Sequence, residues 1–309
     1  MREQRRKRMN RLVIFDGNHL AYRALYKFAN LKTFDGANTS VIYGMPFIAE
    51  SLIRRLAPDK VAMTFDGGRS PFRMGLLPLY KQRDKKLGFD YDDFKRMRTA
   101  GSDIFTAMGI QVAWKKDFEA DDLIAMIARR YSIVEWDVVI VSADKDFNQL
   151  IMPLDPGLHG PVSVFNVGKN LMLDYHTLKE TTGYYPEQCV DYLSLTGDKS
   201  DNIPGYPGIG PKKALDILHR WGSIKQFICH DASYGKVDKM ELEKIRAINK
   251  KMIDLRYFYR KFLMHEPIPW LNPTPEFDED RLRSICNVHE INSFLKPQFI
   301  NTFKKLIDA

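Results

Sequence analysis

Cysteine is scarce in this sequence: Cys189, Cys229 and Cys286 are the three thiols, far apart and without a CxxC pair. That spacing argues against a zinc ribbon or a disulfide framework and suits a reducing compartment, leaving the cysteines as core residues. Long apolar runs are missing too. The longest, such as Trp136 to Val141, are strand-length and fall well short of the ~20 residues a membrane helix requires. The opening segment MREQRRKRMNR lacks the apolar stretch of a secretory signal. A cytoplasmic, non-secreted protein with no membrane attachment is therefore expected. There is no internal repeat and no low-complexity tract.

What the chain does have is length, apolar content and positive charge. Its 309 residues, 44% hydrophobic, can bury a substantial core in one large domain, or in a domain with a smaller appendage. The formal charge of +8 and a pI near 9.2 favour a polyanionic partner, because basic side chains displace counterions from phosphates. Part of the excess lies in residues 1–11, with Arg2, Arg5, Arg6, Lys7, Arg8 and Arg11. This stretch reads as a disordered basic arm; a solvated tail, or an extension upstream of a start at Met9, accounts for it equally well.

Short β-rich runs, each ending at an acidic residue, alternate with helical stretches through the first half, which is the pattern of an α/β fold with a mainly parallel central sheet flanked by helices. The runs are Leu12 to Phe15 ending at Asp16, Val61 to Phe65 ending at Asp66, and Val138 to Ser142 just before Asp144. Open parallel sheets place ligands beyond the carboxyl ends of their strands, so three strands would aim carboxylates at one crevice. Residues 67–98, rich in Gly, Pro and cations, read as an exposed segment with some helix, a candidate arch or lid over a substrate. From about Tyr175 the pattern changes to helices joined by Gly and Pro turns, centred on DNIPGYPGIGPKKALDILHRWGS. A Pro-rich, acidic connector, HEPIPWLNPTPEFDED, precedes a helical tail from Asp280 to Asp308.

Nine acidic residues stand out by position: Asp16, Asp66, Glu119, Asp121, Asp122, Asp144, Asp146, Asp198 and Asp201. Asp16 and Asp66 each follow an apolar strand and precede glycine, a turn that leaves the carboxylate at the strand's end; either alone is an ordinary turn signal. Glu119, Asp121 and Asp122 open an amphipathic helix with Leu123, Ile124, Ile127 and Ala128 as its buried stripe. Helix capping explains two of these three acids. Asp144 and Asp146 stand two apart after a buried-looking strand, where extended backbone would turn both to one side. So many carboxylates in a basic protein call for compensating cations. Oxygen-only ligands suit Mg²⁺ or Mn²⁺, and no His or Cys pattern competes for zinc. Two ions ~4 Å apart in such a pocket would carry out phosphodiester hydrolysis by in-line displacement.

The ordered set FDGNHLAYRALY, TFDGGRSPFR, LYKQR, EADDLIA, SADKDFNQL and LTGDKSDNIPGYPGIGPKKA, spanning about Leu12 to Lys225, resembles the flap endonuclease and 5′-to-3′ exonuclease family. The likeness is greatest to the 5′-nuclease domain of bacterial DNA polymerase I and to phage nucleases. The resemblance implies Asp16, Asp66, Glu119 and Asp121 around one ion and Asp121, Asp144, Asp146 and Asp201 around the other, with Asp122 and Asp198 as outer or shared ligands. It also implies cations above the metals, for which Arg73, Lys81 and Arg83 are the candidates, Lys81 contacting the scissile phosphate. The family's Tyr-Lys-x-x-Arg is shortened here to Tyr-Lys-Gln-Arg, so Lys85 or Lys86 is an alternative to Arg83. Gly205, Gly208, Gly210, Lys212 and Lys213 fall in a segment similar to the family's helix-three-turn-helix, which grips duplex backbone and often holds K⁺. Arg23 is a phosphate-contact candidate, while His19, Tyr22 and Tyr26 are read as packing residues that could also stack on an unpaired base.

These expectations divide the chain into a basic arm (1–11), a nuclease core (12–174) including the arch (67–98), a helix-three-turn-helix region (175–264), and a connector with a helical tail (265–309). The resemblance implies a free-standing, monomeric, Mg²⁺-dependent 5′-nuclease from a bacterial or phage-infected cell, serving replication, repair or primer removal. Its substrate would be DNA with a 5′ end, flap or nick, and the RNA strand of an RNA/DNA hybrid is a further candidate. Two rival readings fit less well. A catalytically silent DNA-structure-binding protein would be expected to lack some of the motif acids, and a PIN-type ribonuclease leaves the Gly-Pro module unexplained.

Overall fold

Strand β1 (Arg11–Asp16) carries Leu12, Val13, Ile14 and Phe15 with no exposed surface at all. A run that apolar on both faces belongs at the centre of a sheet covered on both sides. The computed structural model, which describes residues 8–82, 89–230, 233–266 and 276–307, places it there. The sheet has six strands in the order β3-β2-β1-β4-β5-β6. Here β2 is Lys60–Thr64, β3 Gln111–Ala113, β4 Asp137–Val141, β5 Val162–Asn166 and β6 Leu171–Leu173. Every pairing is parallel except the last, β5 with β6. The chain builds outward from β1 to β2 and β3, then returns to add β4 and β5 on the other side, so the switch point lies between the carboxyl ends of β1 and β4.

The helices are α1 (Gly17–Lys27), α2 (Ser40–Leu56), α3 (Pro71–Leu76), α4 (Tyr91–Ala107), α5 (Ala120–Ser132), α6 (Tyr175–Thr182), α7 (Cys189–Thr196), α8 (Pro211–Trp221), α9 (Ile224–Cys229), α10 (Lys239–Ile253), α11 (Leu255–Phe258), α12 (Glu279–Val288) and α13 (Pro297–Ile307). The period of two along β1 sorts them into layers. Val13 and Phe15 point into a core closed by α1, α2, α4, α12 and α13, whereas Leu12 and Ile14 point into one closed by α5, α7 and α11. A third, smaller core of Leu195, Ile209, Ala214, Ile217, Leu218, Ile224, Phe227 and Leu242 lies within the helical module. No helix among the described residues is long and apolar enough to cross a membrane.

Two segments differ from their sequence reading. The last part of the expected arch, from Tyr91, is the start of α4, which continues to Ala107 and buries Phe94, Met97, Ile104 and Phe105 on one face. That spacing of three to four residues makes it a core helix rather than an exposed one. The terminal helices likewise pack back onto the helical layer, α12 on α4 and α13 on α2: Phe299, Ile300 and Phe303 join the α2 core, and Arg54 donates to Thr302 Oγ1 and the Gln298 carbonyl. The Pro-rich stretch 267–275 lies outside the described residues.

Candidate active site

Each acidic motif is placed by the element that ends or begins at it. Asp16 closes β1 and caps α1, its Oδ1 accepting from the His19 amide at 2.9 Å and its Oδ2 from Ser142 Oγ at 2.9 Å. Asp66 follows β2 and accepts from the Ala120 amide at 2.8 Å, which ties the end of β2 to the start of α5. The glycine after it is required by close approach, since a Cβ at Gly67 would lie 1.8 Å from the Lys115 carbonyl oxygen. Asp121 stands in the first turn of α5. Asp144 caps the 3-10 turn Lys145–Leu150 and accepts from the Asp146 amide at 2.9 Å. Asp198 and Asp201 come from the loop that follows α7.

These side chains meet at the switch point. A cleft of about 650 Å³ is lined by Asp16, Asp66, Asp121, Asp144 and Asp201, with Lys81 at its border. Carboxylate oxygens of Asp146, Asp198 and Asp201 lie within 4.8 Å of one another. Burial pushes the Asp16 carboxyl up from 3.8 to about 6, helped by Asp144 and Asp66. Burial also raises Asp201 to about 6, with Lys81 opposing and Asp198 and Asp144 reinforcing. Asp121 and Asp146 are raised well above the usual carboxylate range by burial and by their acidic neighbours. For Asp198, hydrogen bonds from Ser200 and the charge of Lys145, 3.3 Å away, outweigh burial and hold the carboxyl low. The buried Oδ1 of Asp146 has no hydrogen-bond partner among the described residues.

Lys81 is the cation of this cleft. Its Nζ lies 2.8 Å from Glu119 Oε2, 3.6 Å from Asp201 and 4.0 Å from Asp121, and its charged form is strongly favoured by Asp121 and Glu119 despite burial. The backbone there is left-handed, φ 49°, a conformation costing a lysine on the order of 1 kcal/mol. Glu119 itself is buried and committed: Oε1 accepts from the Ser70 amide, and Oε2 from Tyr80 Oη and Lys81 Nζ, both at 2.8 Å. Against its burial, Lys81 and Arg73 keep its carboxyl below the usual value. To ligate an ion, Glu119 would have to exchange its lysine partner.

Two sequence expectations are corrected. Arg73 is not a cation above the site. It is 2% exposed, grips Asp122 with both guanidinium nitrogens at 2.9 and 2.7 Å, and donates Nε to the Met252 carbonyl. Asp122, counted among the metal acids, is engaged at both oxygens by the protein, Oδ2 accepting also from the Glu119 amide, and it does not line the cleft. Together they form a buried brace beneath Glu119 that anchors α3 to α5 and α10. The helix of Arg73 starts with the Ser70 cap and Pro71. Arg83, Lys85 and Lys86 lie outside the described residues.

Other cleft-lining residues were not singled out from sequence: Arg69, Lys145, Asn18 and Ser200. Lys145 has a readable signal, standing between the motif acids Asp144 and Asp146, whereas Arg69 lies three positions beyond Asp66. Tyr22, an expected packing residue, stacks on Phe94 at 4.5 Å yet also lines the cleft, whereas Tyr26 is 62% exposed. His19 also lines the cleft, but its Nε2 is buried with no hydrogen-bond partner among the described residues. Arg23, half-buried on α1, has no hydrogen bond or ion pair among the described residues.

Beside the cleft, α7 and α8 are joined by the glycine-rich loop. Gly205 permits close passage of two backbones, as a Cβ there would sit 2.4 Å from the Thr196 carbonyl carbon. Gly210 caps α8 without a side chain, and Lys212 and Lys213 are exposed in its first turn, with Lys213 Nζ on the Gly208 carbonyl at 2.9 Å. Such a helix start offers amides and partial positive charge to an anion.

A carboxylate-lined crevice at the switch point of a parallel sheet, with a lysine at its mouth and a glycine-rich helical module beside it, is the layout of a nuclease. The chain belongs to the 5′-3′ exonuclease family: the profile for the family's N-terminal resolvase-like domain matches residues 11–183, and that for its C-terminal SAM fold matches residues 184–260. It is 32% identical over 249 residues to DNA polymerase I of Mycobacterium tuberculosis, a match covering 79% of this chain and 27% of the polymerase. It is 30% identical over 251 residues to the 5′-3′ exonuclease of Aquifex aeolicus, covering 80% of this chain and 83% of that protein. The chain thus spans about a quarter of the length of the polymerases it matches. Its fold is that of the bacteriophage T5 flap endonuclease solved with DNA and metal ions, with a TM-score of 0.69 at 21% identity over 91% of this chain and all of that one.

Proposed function

We propose that this chain is a Mg²⁺-dependent, structure-selective 5′-nuclease that hydrolyses DNA at or near free 5′ ends, flaps and nicks, acting as a monomer in replication, repair or primer removal. The observation that carries this reading is the convergence of Asp16, Asp66, Asp121, Asp144 and Asp201 on one cleft, next to the triad Asp146, Asp198 and Asp201. The residues fit hard dications: the donors are all oxygen, their negative charge is under-compensated, and Asp146 Oδ1 is an orphaned acceptor. Asp16, Asp66 and Asp121 would hold one ion and Asp144, Asp146 and Asp201 the other, with Asp121 between them and Asp198 behind. When bound, such ions supply Lewis acidity toward the attacking water and the leaving oxygen.

The protein's own part is positioning and charge. Lys81, fixed at the mouth of the cleft, donates to a non-bridging oxygen of the scissile phosphate and offsets the charge that builds up in the transition state. Arg69 and Lys145 draw the backbone in from either side. The start of α8, with Lys212 and Lys213, holds duplex phosphates at a distance from the cut. Because phosphate contacts carry no base information, the enzyme selects shape over sequence. Incubation with 5′-labelled flap, nicked, blunt and RNA/DNA hybrid duplexes, in Mg²⁺ and in EDTA, tests the proposal. Mg²⁺-requiring cleavage near the 5′ junction that collapses in Asp144→Asn supports it; tight binding without cleavage on any substrate refutes it.

A further inference from the structure

Two turns from distant parts of the chain meet at the mouth of the cleft. One, Leu79 to Gln82, carries Lys81. The other, closed by reciprocal 2.8 Å backbone bonds between Asp198 and Ile203, carries Asp198 and Asp201. The side-chain amide of Asn202 joins them, donating to the Leu79 carbonyl at 2.9 Å and to the Gln82 carbonyl at 2.6 Å. Those carbonyls lie on either side of Lys81. The Lys81 amide completes the junction by donating to the Asp201 carbonyl at 3.1 Å. Both Lys81 and Asn202 are left-handed, with φ 49° and 58°, and asparagine tolerates that region better than most residues.

We propose that Asn202 is a positioning residue for Lys81: its amide clamps the lysine turn to the acid-bearing loop, and so sets where the ammonium stands over the carboxylates. Asn202 is an exposed loop residue whose donors serve no helix or strand. A purely structural staple in such a place would alter stability slightly and leave the rate alone. A clamp on the lysine turn has a different signature. It holds an otherwise unfavourable backbone conformation at Lys81, and it links the position of the cation to the helical module that grips the duplex. Engagement of DNA by that module would thus be felt at Lys81 through the Asn202 side chain and the Lys81–Asp201 contacts beside it.

The proposal rests on the reading of Lys81 as the phosphate contact, and the test separates the two. Asn202→Gly keeps the left-handed backbone and removes the amide; Asn202→Asp keeps the shape but turns an acceptor toward two carbonyls. With a 5′-flap duplex at saturating protein, Asn202→Gly is expected to slow single-turnover cleavage about 10- to 100-fold, the scale of a misplaced catalytic group. Its Kd for the duplex in EDTA should change less than about 2-fold, and in a Lys81→Ala background it should slow cleavage less than about 2-fold further, because the two residues act as one unit. Hydrogen exchange at the amides of residues 79–82 should accelerate while that of α8 is unchanged. Effects of Asn202→Gly and Lys81→Ala that multiply independently would overturn the proposal. So would a weakened Kd at an unchanged saturating rate, or unaltered exchange at 79–82. If the unsubstituted protein cleaves nothing, the nuclease reading fails and the exchange experiment alone decides: acceleration supports the clamp, and no change removes it.

Discussion

The carboxylate cluster should make the protein less stable, without divalent ions, as the pH rises. Asp16 and Asp201 each have a folded-state pKa of about 6 against 3.8 unfolded. A carboxyl raised in the folded state binds its proton more tightly there, so its stabilising effect is complete below pH 3.8 and is lost as the pH climbs through 6. Each displacement corresponds to about 3 kcal/mol, and both groups are less than a fifth exposed, so solvent screens little of it. Glu119 and Asp198 run the other way, but their stabilisation is complete once they ionise and is lost only in acid, below the window in question, whereas His19 and His289, lowered by burial, gain stability as the pH rises towards 6.5 and offset part of the fall. Thermal melts in EDTA should therefore show Tm falling between pH 5 and pH 7.5, by roughly 2 °C for each kcal/mol lost in a chain of this size. Mg²⁺ should restore most of that loss at pH 7.5. Asp16→Asn and Asp201→Asn should each melt higher than the parent in EDTA at pH 7.5, while losing the response to Mg²⁺. A Tm in EDTA that is flat or rises over this range would refute the reasoning, because the cluster would then be neutralised by the protein itself.

Other outcomes follow from single contacts. Arg73→Ala should cost about 3–5 kcal/mol in urea unfolding, since it leaves Asp122 charged and buried without a partner. Lys81→Ala should lower the single-turnover rate by about 10²–10³ with DNA affinity in EDTA little changed, the pattern of a group acting in the transition state. The double variant Lys212→Ala/Lys213→Ala should weaken binding to all duplexes alike and reduce the slope of log affinity against log salt by about 2, as each contact with a phosphate contributes about 1.

The parts of the fold that were legible in sequence are those where a local rule and a tertiary demand agree. An apolar strand followed by Asp-Gly announced both a strand end and a carboxylate at Asp16 and Asp66, because the same tight turn serves both. Three of the four longer parallel strands, β1, β2 and β4, could be read from apolar runs that end at an acid, whereas β5, which ends at Asn166, was not read. Strands β3 and β6, three residues each, are too short to show a period and exist only because neighbours pair with them. Arg73 misled for a related reason. A cation in a Gly- and Pro-rich stretch looks solvent-facing, and only the partner Asp122, 49 positions away, turns it inward. Asn202 was invisible as more than a turn residue, since its two acceptors are backbone carbonyls that any sequence would supply.

The packing of α13 on α2 sets the order in which the molecule can be completed. Arg54 and Thr302, bonded across that contact, are 248 positions apart, and Phe299, Ile300 and Phe303 share a core with apolar side chains of α2 such as Ile53 and Leu56. Without that contact, the side of α2 that meets Phe299, Ile300 and Phe303 is left uncovered. Closing it brings together segments about 250 residues apart, a non-local pairing whose loop-closure cost must be met before the contact repays it.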